Sequence, residues 1–383
     1  MRRYWIVAGV FILSLLVQNR CDLFCYDDPY SYWQVLVNGG QELTTIPGAP
    51  IYLMFKAFSL ITINDIWAIK IVAALISTVF FILMWKILKE RVNYALFFAL
   101  AATFSFWWLE ISMQLFKNEL AMIFLLYAVF FGESLLVLSA LIHASTGIFA
   151  GVIALSKFKW FKDNRVIVLM YLLLLVLSIR TLSGSEFVVK YGTSTLLETV
   201  FIAIMLPVVF YGYDDNKPHY IELIENLFRE PKLDMRPYMF ASAFCSIIFM
   251  FIGIEYAWRF LLMSMPFVWI AFAEGFEKAR KDKHKIMFSL GLWVIMVSIL
   301  AGLLMLYASN PLFTYQNVDS AKQIVELHPP SVFLNDSARI FDNLLRIEGY
   351  KGSINYSNCS GSGLYVSKLN GTIRMRDCLW MNQ

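Results

Sequence analysis

Charge is scarce in this sequence. Asp, Glu, Lys and Arg make up 16% of its 383 residues, where a soluble domain carries about 25%. Hydrophobic types reach 59% and aromatics 16%. A soluble fold this apolar lacks the polar side chains to cover its own surface, which excludes a soluble globular enzyme. Disorder is excluded too, because disordered chains are polar and poor in aromatics. Five cysteines in 383 residues are too few for a disulfide framework. The net charge is only +4, and it is sorted by loop, so a nucleic-acid binder is excluded as well. Several catalytic signatures are missing: no Walker A sequence, HExxH, GxSxG, CxxC or glycine-rich dinucleotide loop occurs. There is no internal repeat and no low-complexity tract. What remains is an all-α polytopic membrane protein.

A membrane-spanning helix needs about 20 apolar residues. Apolar stretches fall at roughly 4–18, 66–86, 93–109, 118–132, 134–147, 148–158, 166–182, 195–212, 238–254, 260–274 and 286–308, about eleven transmembrane helices. The fifth and sixth are short and meet at His143 to Thr146, which predicts a bent pair. With the N-terminus cytoplasmic, 18 of the 32 Lys and Arg fall in cytoplasmic loops. Outside the C-terminal tail only seven fall elsewhere: Arg20, Lys56, Lys70, Lys117, Arg180, Lys190 and Arg259. Eighteen against seven sets the orientation. A basic start and an apolar run occupy residues 1–18 without a small-residue cleavage site, so a retained first helix is expected.

An odd number of spans puts the C-terminus outside. Residues 309–383 hold four N-x-[ST] sequons, at Asn335, Asn355, Asn358 and Asn370, and residues 1–308 hold none. Such sequons mark chain exposed outside the cytoplasm. Cys21, Cys25, Cys359 and Cys378 fall outside as well, where disulfides persist. Four thiols allow three connectivities; Cys359 with Cys378 and Cys21 with Cys25 are favoured. Cys245 reads as a buried hydrophobe. The division is therefore 1–308, a multi-span domain with a first outer loop at 19–65, and 309–383, a small extracytoplasmic α/β domain. In the latter, 331–334 (SVFL) reads as a strand. Asp336 or Ser337 caps a helix running to about Gly349, and short strands follow near 353–356 and 363–369.

Charge inside a bilayer costs roughly 2.5–3.5 kcal/mol per residue on insertion scales, so its placement is informative. Ionisable groups collect at the outer helix ends. The first outer loop opens with Asp22, Asp27 and Asp28, and Pro29 holds Asp28 extended or in a turn. On spacing alone, Asp27 and Asp28 read as the cap of a surface helix; the alternative is a carboxylate pair held above the headgroups. Segments 30–37 and 51–60 are amphipathic and suited to the interface. The second outer loop, 110–118, offers Glu110, Lys117 and Asn118, with Glu119 just beyond. These read as helix-end charges with Lys117 snorkelling, or as site residues. Residues 180–190 read as a solvated loop. Glu255 and Arg259 are four apart and share a helical face, so they pair internally, or Arg259 binds a lipid phosphate bidentately. Trp258 beside Arg259 suits the headgroup level. His143, the one intramembrane histidine, is a packing residue or a contact for phosphate or hydroxyl. Lys70 is expected to snorkel. In the cytoplasmic segment 213–237, Tyr220, Ile221, Ile224, Leu227 and Phe228 trace an amphipathic interface anchor.

An ordered set of these segments resembles the GT-C superfamily, integral membrane glycosyltransferases that use polyprenyl-phosphate-linked sugars. The first outer loop, YDDPYSYWQVLVNGG followed by IPGAPIYLMFKAFSLI, is similar to the acidic first loop of oligosaccharyltransferase catalytic subunits and protein mannosyltransferases. MQLFKNELAMIFLL is similar to the start of the fourth span in archaeal members. ALIHASTGIFAG resembles a histidine-bearing bend, and YAWRFLLMSMP the arginine-bearing turn that opens the last shared span. The likeness runs through about residues 1–275. The tail is small and has no WWDYG-like motif, which sets the chain apart from oligosaccharyltransferases. The acidic motif is Asp-Asp where the superfamily has Asp-x-Asp or Asp-Glu.

The resemblance implies a sugar moved from a polyprenyl phosphate to an acceptor hydroxyl at the outer face, with inversion. Asp27 or Asp28 would be the general base. Arg259, with Lys117 and His143, would bind the donor phosphate, supported by Glu110, Glu119 and Glu255. The implied partners are the lipid-linked sugar donor, a glycan, lipid or protein acceptor, and the membrane, with no nucleic acid. A divalent metal, Mg or Mn, suits Asp27 and Asp28 as hard oxygen ligands, though nothing requires one. The alternative is a lipid-linked sugar transporter or a non-catalytic scaffold of the same fold. A transporter carries polar residues at mid-depth on interrupted helices, whereas the spans here are apolar at mid-depth. A glycan polymerase or ligase would carry a large late outer loop, and the turn at 255–259 is too short for one.

Overall fold

In a computed structural model, the chain is mostly helical with one small sheet. The structure describes residues 2–21, 23, 29–30, 32–33, 36, 49–114, 116–131, 136–154, 163–183, 186–213, 234–308, 314–334, 344–346, 348–355, 363–369 and 372–378. The helices are α1 (Arg2–Gln18), α2 (Ala49–Ser59), α3 (Asp65–Lys89), α4 (Ala95–Thr103), α5 (Phe106–Gln114), α6 (Phe116–Phe131), α7 (Leu136–Ile142), α8 (Ala144–Ala154), α9 (Asn164–Thr181), α10 (Glu186–Tyr213), α11 (Arg236–Ile252), α12 (Ile254–Lys281), α13 (Lys285–Ala308) and α14 (Tyr315–Leu327). The strands are β1 (Ser331–Leu334), β2 (Ser353–Asn355), β3 (Leu364–Leu369) and β4 (Thr372–Asp377).

Among the described residues, five helices are long and apolar enough to cross a membrane: α3, α9, α12, most of α10 and most of α13. The bent pair α4 and α5 makes a sixth if counted as one span. The stretch at 93–109 is therefore broken by 49° between Thr103 and Phe106. Thr103 Oγ1 and Ser105 Oγ both donate back to carbonyls of the preceding turn, those of Ala99 and Ala102. Such bonds compete with the ladder and bend helices.

The chain forms two compact units. One comprises residues 79–109 and 117–303. Its centre is α12, packed against α10, α11, α8 and α4. α12 is buried over nearly its whole length, from Ala257 to Ala279. Its aromatics interlock with their neighbours: Phe267 stacks on Tyr238 of α11 at 4.1 Å, and Phe272 and Phe276 meet Phe98 of α4 edge-on. In a bilayer no hydrophobic effect drives helices together, so contact depends on close packing and polar links. Both are present. Gly212 of α10 lies against Gly275 of α12, and a Cβ on Gly212 would come within 3.0 Å of the Gly275 Cα. Ser246 Oγ donates to the Ala257 carbonyl, tying α11 to α12, and Tyr171 OH meets Ser242 Oγ at 2.9 Å, tying α9 to α11. At the other end of α12, Arg91 pairs with Glu274 at 2.6 Å, and Glu277 accepts from Asn93 and Arg280, both at 2.7 Å. The outward face of α9 is apolar, with Leu169, Leu172, Leu173, Val176 and Ile179 exposed. That inversion of the soluble pattern is what a lipid-facing helix requires.

The other unit comprises residues 1–78, 110–116 and 304–383. Asn64 caps α3, its Oδ1 accepting from the Trp67 N–H at 3.0 Å. Lys70, expected to snorkel, is instead 3% exposed, and its ammonium donates to the Cys21 carbonyl at 2.8 Å and to Asn19 Oδ1 at 3.2 Å. The carbonyls freed where α1 ends give that cation its partners. α2 is amphipathic as expected: Ile51 and Phe55 are buried and Leu53 is exposed.

The tail folds as expected at SVFL, which is β1, and near 353 and 364. Residues 344–346 are helical, and Gly349, at φ +94°, closes the turn, the left-handed position that glycine tolerates. The sequence reading missed α14 and β4. The sheet order is β2-β1-β3-β4, with β1 parallel to β2 and β3, and β4 antiparallel to β3. Cys21 and Cys378 are each in a disulfide. Cys25 and Cys359 lie outside the described residues. Cys245 is a buried free thiol.

Candidate functional site

The site is built at one end of the 117–303 unit, from three places where helices start or break. The first is the opening turn of α6, which carries Lys117, Asn118 and Glu119. N–H groups of a first helical turn lack helical partners and carry the positive end of the dipole. Lys117 is half-buried, and Asn118 and Glu119 are buried. Among the described residues, Asn118 Nδ2 finds no acceptor.

The second is the break between α7 and α8, at His143. Thr146 makes the break locally stable: its hydroxyl bonds the Ser139 carbonyl at 2.8 Å and the His143 carbonyl at 2.6 Å. The Ser139 hydroxyl donates to the Ala121 carbonyl at 2.8 Å, fixing this bend against α6. His143 Nδ1 accepts from the Ser145 N–H at 3.3 Å and contacts the Ser145 hydroxyl. An accepting Nδ1 leaves Nε2 as the protonated nitrogen of the neutral ring, free to donate.

The third is the opening of α12. Gly253, in extended conformation, separates α11 from α12, and Arg259 follows in the second turn. Arg259 is half-buried, with its guanidinium 5.8 Å from the Trp258 ring centre. Trp258 is 3% exposed, packed among the surrounding helices. Its Nε1 has no acceptor among the described residues.

These three places converge. The charges of Arg259 and of Lys117 both act on His143, so three residues spread over 143 positions of sequence share one neighbourhood. Chemically the arrangement suits a phosphate: a planar guanidinium, an ammonium and a neutral N–H donor.

Sequence reasoning passed over a buried carboxylate in this unit. Glu198 of α10 is 1% exposed, between Thr195 and Thr199, which are fully buried. A signal was present in the sequence: Thr195, Glu198 and Thr199, at spacing i, i+3 and i+4, draw one polar stripe through an otherwise apolar span. A carboxylate there is costly, so it marks either a charge partner or a working group.

The other expected residues fall out as follows. Asp22, Asp27 and Asp28 lie outside the described residues, and so does the expected anchor helix at 220–228. Glu110 is half-buried on α5, in the unit that holds residues 110–116. It stands within a helix, because α5 continues to Gln114, and the short loop expected at 110–118 is mostly helical. The solvated loop expected at 180–190 is also largely helix, since α9 ends at Thr181 and α10 begins at Glu186. Glu255 is in the first turn of α12; its side chain is outside what is described. Among the described residues, no three His, Cys, Asp or Glu side chains gather closely enough to hold a metal ion. Asp27 and Asp28, the pair suited to one, are not among them. No protein-family model matches the chain, and no curated protein matches it.

Proposed function

We propose that this chain is a GT-C-type membrane glycosyltransferase that moves a sugar from a polyprenyl phosphate to an acceptor hydroxyl. The observation that supports the reading is that the charges of Lys117 and Arg259 both reach His143, the three residues that the GT-C resemblance gives as phosphate ligands. The proposed topology has eleven spans, a cytoplasmic N-terminus and an outer-face tail.

The donor phosphate sits among Arg259, Lys117 and His143 Nε2–H. The polyprenyl chain lies along the membrane-facing helices. An apolar groove between α9 and α10, lined by Tyr171, Leu172, Leu175, Leu206, Pro207 and Phe210, suits such a chain. Asp27 or Asp28 takes the proton from the acceptor hydroxyl. The freed oxygen attacks the anomeric carbon, the bond from that carbon to the phosphate oxygen breaks, and the sugar inverts. Polyprenyl phosphate leaves as an anion, so no general acid is needed. Charge grows on the leaving oxygens as the bond breaks, and preorganised cations act most strongly there. A bound Mg or Mn, held by Asp27 and Asp28, would add electrophilic assistance. Glu110, Glu119 and Glu255 stand as supporting carboxylates.

The test is turnover by purified protein in lipid, offered a panel of polyprenyl-phosphate sugars, with release of free polyprenyl phosphate followed. Arg259→Ala is expected to lower turnover by roughly 10²–10³-fold, the usual loss for one preorganised donor. Asp27→Asn or Asp28→Asn is expected to lower it by about 10²–10⁴-fold, whichever is the base. Consumption indifferent to all three changes would refute the site. Donor binding without consumption would refute the transferase reading and favour a transporter or scaffold.

A further inference from the structure

The turn that joins α12 to α13 gathers more cations than its carboxylates neutralise. Residues 86–91 at the end of α3 and residues 274–285 across this turn hold eight Lys and Arg against four Asp and Glu. The two stretches meet. Arg91 pairs with Glu274 at 2.6 Å, and Asn93 donates to Glu277 at 2.7 Å. Arg280 also pairs with Glu277, at 2.7 Å, and lies 5.0 Å from the Tyr94 ring centre. Asp282 accepts from the Tyr211 hydroxyl at 2.9 Å. Three of the four carboxylates are thereby engaged within the unit. Lys89, Lys283 and Lys285 are exposed, and none of them is in an ion pair among the described residues.

The backbone puts one of these lysines where glycine is the usual residue. Past the last turn of α12, the His284 N–H bonds the Ala279 carbonyl at 2.8 Å and the Lys283 N–H bonds the Arg280 carbonyl at 3.2 Å. This pair of bonds closes a helix C-terminus through a residue in the left-handed conformation. Lys283 is that residue, with φ +56°. A Cβ is disfavoured there, so the lysine is held at a cost in stability. Lys285 then heads an outward stripe of α13: Ser289, Leu292, Met296 and Leu300 follow at helical spacing and are all exposed. Most of α12 and most of α13 are long and apolar enough to cross a membrane, so the turn between them stands at headgroup level and the stripe runs from it along the acyl chains. Unpaired cations above an apolar, outward-facing stripe match both halves of an acidic phospholipid.

We propose that the turn between α12 and α13 is a binding site for acidic phospholipid, whose phosphate is held by Lys283 and Lys285 and whose acyl chains lie on the exposed face of α13. Lys89 adds attraction from the end of α3. The excess of cations assigns the site to the leaflet that carries acidic lipid, the cytoplasmic one of the proposed topology. A lipid held there anchors the end of α12, the central helix of its unit, at the membrane surface. The inference rests on the chain spanning a membrane and not on the glycosyltransferase reading, since Lys117, His143 and Arg259 take no part in it.

The experiment is native mass spectrometry of the full-length protein in non-ionic detergent, with equimolar phosphatidylglycerol and phosphatidylcholine of the same acyl chains. Phosphatidylglycerol adducts are expected to dominate. A lysine near a membrane surface is worth about fivefold in attraction for acidic lipid. Lys283→Gly should therefore lower the preference about fivefold, and Lys283→Gly with Lys285→Gln about 25-fold. Lys283→Gly also relieves the left-handed position, so Tm without lipid should hold or rise, and lost binding is then not unfolding. Lys283→Arg keeps the charge and should keep the preference. Equal adducts of the two lipids, or a preference that the glycine and glutamine changes leave intact, would overturn the proposal. Displacement by inorganic phosphate, but not by chloride at the same ionic strength, would overturn it in favour of a site for free phosphate. Displacement by a polyglutamate peptide would overturn it in favour of an acidic protein partner. Lipid retention is read here and turnover is not, so failure of this proposal leaves the transferase reading standing, and the reverse.

Discussion

The hydrogen bond from Tyr30 to Glu348 joins residues 318 positions apart, and removing it gives a sharp test of how the tail holds the first loop. Tyr30 is fully buried, packed 5.5 Å from Trp33, while Glu348 is half-buried. Tyr30→Phe keeps the ring and its packing and deletes only the donor. A hydrogen bond to a charged group contributes about 1.5–3 kcal/mol. Water reaches the half-buried carboxylate and restores part of that, so a loss of about 1–2 kcal/mol is expected at the contact. That corresponds to roughly 5–30-fold more frequent opening. Glu348→Gln keeps an acceptor and loses the charge assistance, about half of the interaction. The assay is hydrogen exchange of peptides covering 29–36 and 344–350 in the full-length protein, with the double variant completing a cycle. Faster exchange in both peptides, with the two substitutions less than additive, is the expected result. Strict additivity, or faster exchange in one peptide only, would refute the coupling. Tyr30 is two residues from Asp28, so under the proposed mechanism Tyr30→Phe should also lower kcat more than it raises KM.

Two further outcomes follow from packing in the unit of residues 79–109 and 117–303. A side chain at Gly275 would overlap the Val208 carbonyl oxygen, which is backbone and cannot swing aside. Gly275→Leu should therefore cost about 3 kcal/mol, the upper range for overpacking, seen as a lowered Tm in detergent, whereas Gly9→Ala, with open space around it, should leave Tm unchanged. The Arg91 and Glu274 side chains are 12% and 10% exposed, so Glu274→Ala strands a buried cation and should cost about 3 kcal/mol. Adding Arg91→Met should recover much of the loss, and a double variant as unstable as the two single losses summed would refute the pairing.

Legibility from the sequence tracked the range of the interactions concerned. Apolar runs announce membrane helices because a bilayer acts on each segment separately, so α3, α9 and α13 could be read from composition alone. The strand at SVFL and the turn at Gly349 were readable for a similar reason, since a short apolar run and a glycine act within a few residues. The break at His143 was visible too, as polar residues interrupting two short apolar runs. Lys70 was misread because its partners are the freed carbonyl and amide groups at the end of α1, about 50 positions earlier.

Residue types and their spacing by themselves determined that the chain is a helical membrane protein with a small α/β tail; Lys117, His143 and Arg259 came as a set only from the resemblance to the GT-C superfamily. Only the tertiary structure decided that the charges of Lys117 and Arg259 reach His143, that α12 is the central helix, and that Gly212 lies against Gly275. It alone revealed Glu198 as a buried carboxylate and Tyr30 as the partner of Glu348. The physical reason is the same in each case. Transfer into the bilayer and backbone conformation are properties of a segment, whereas burial, ion pairing and the closeness of two helices depend on which distant segment packs alongside, and lipid, as apolar as the helices themselves, leaves that choice to shape and polar contacts.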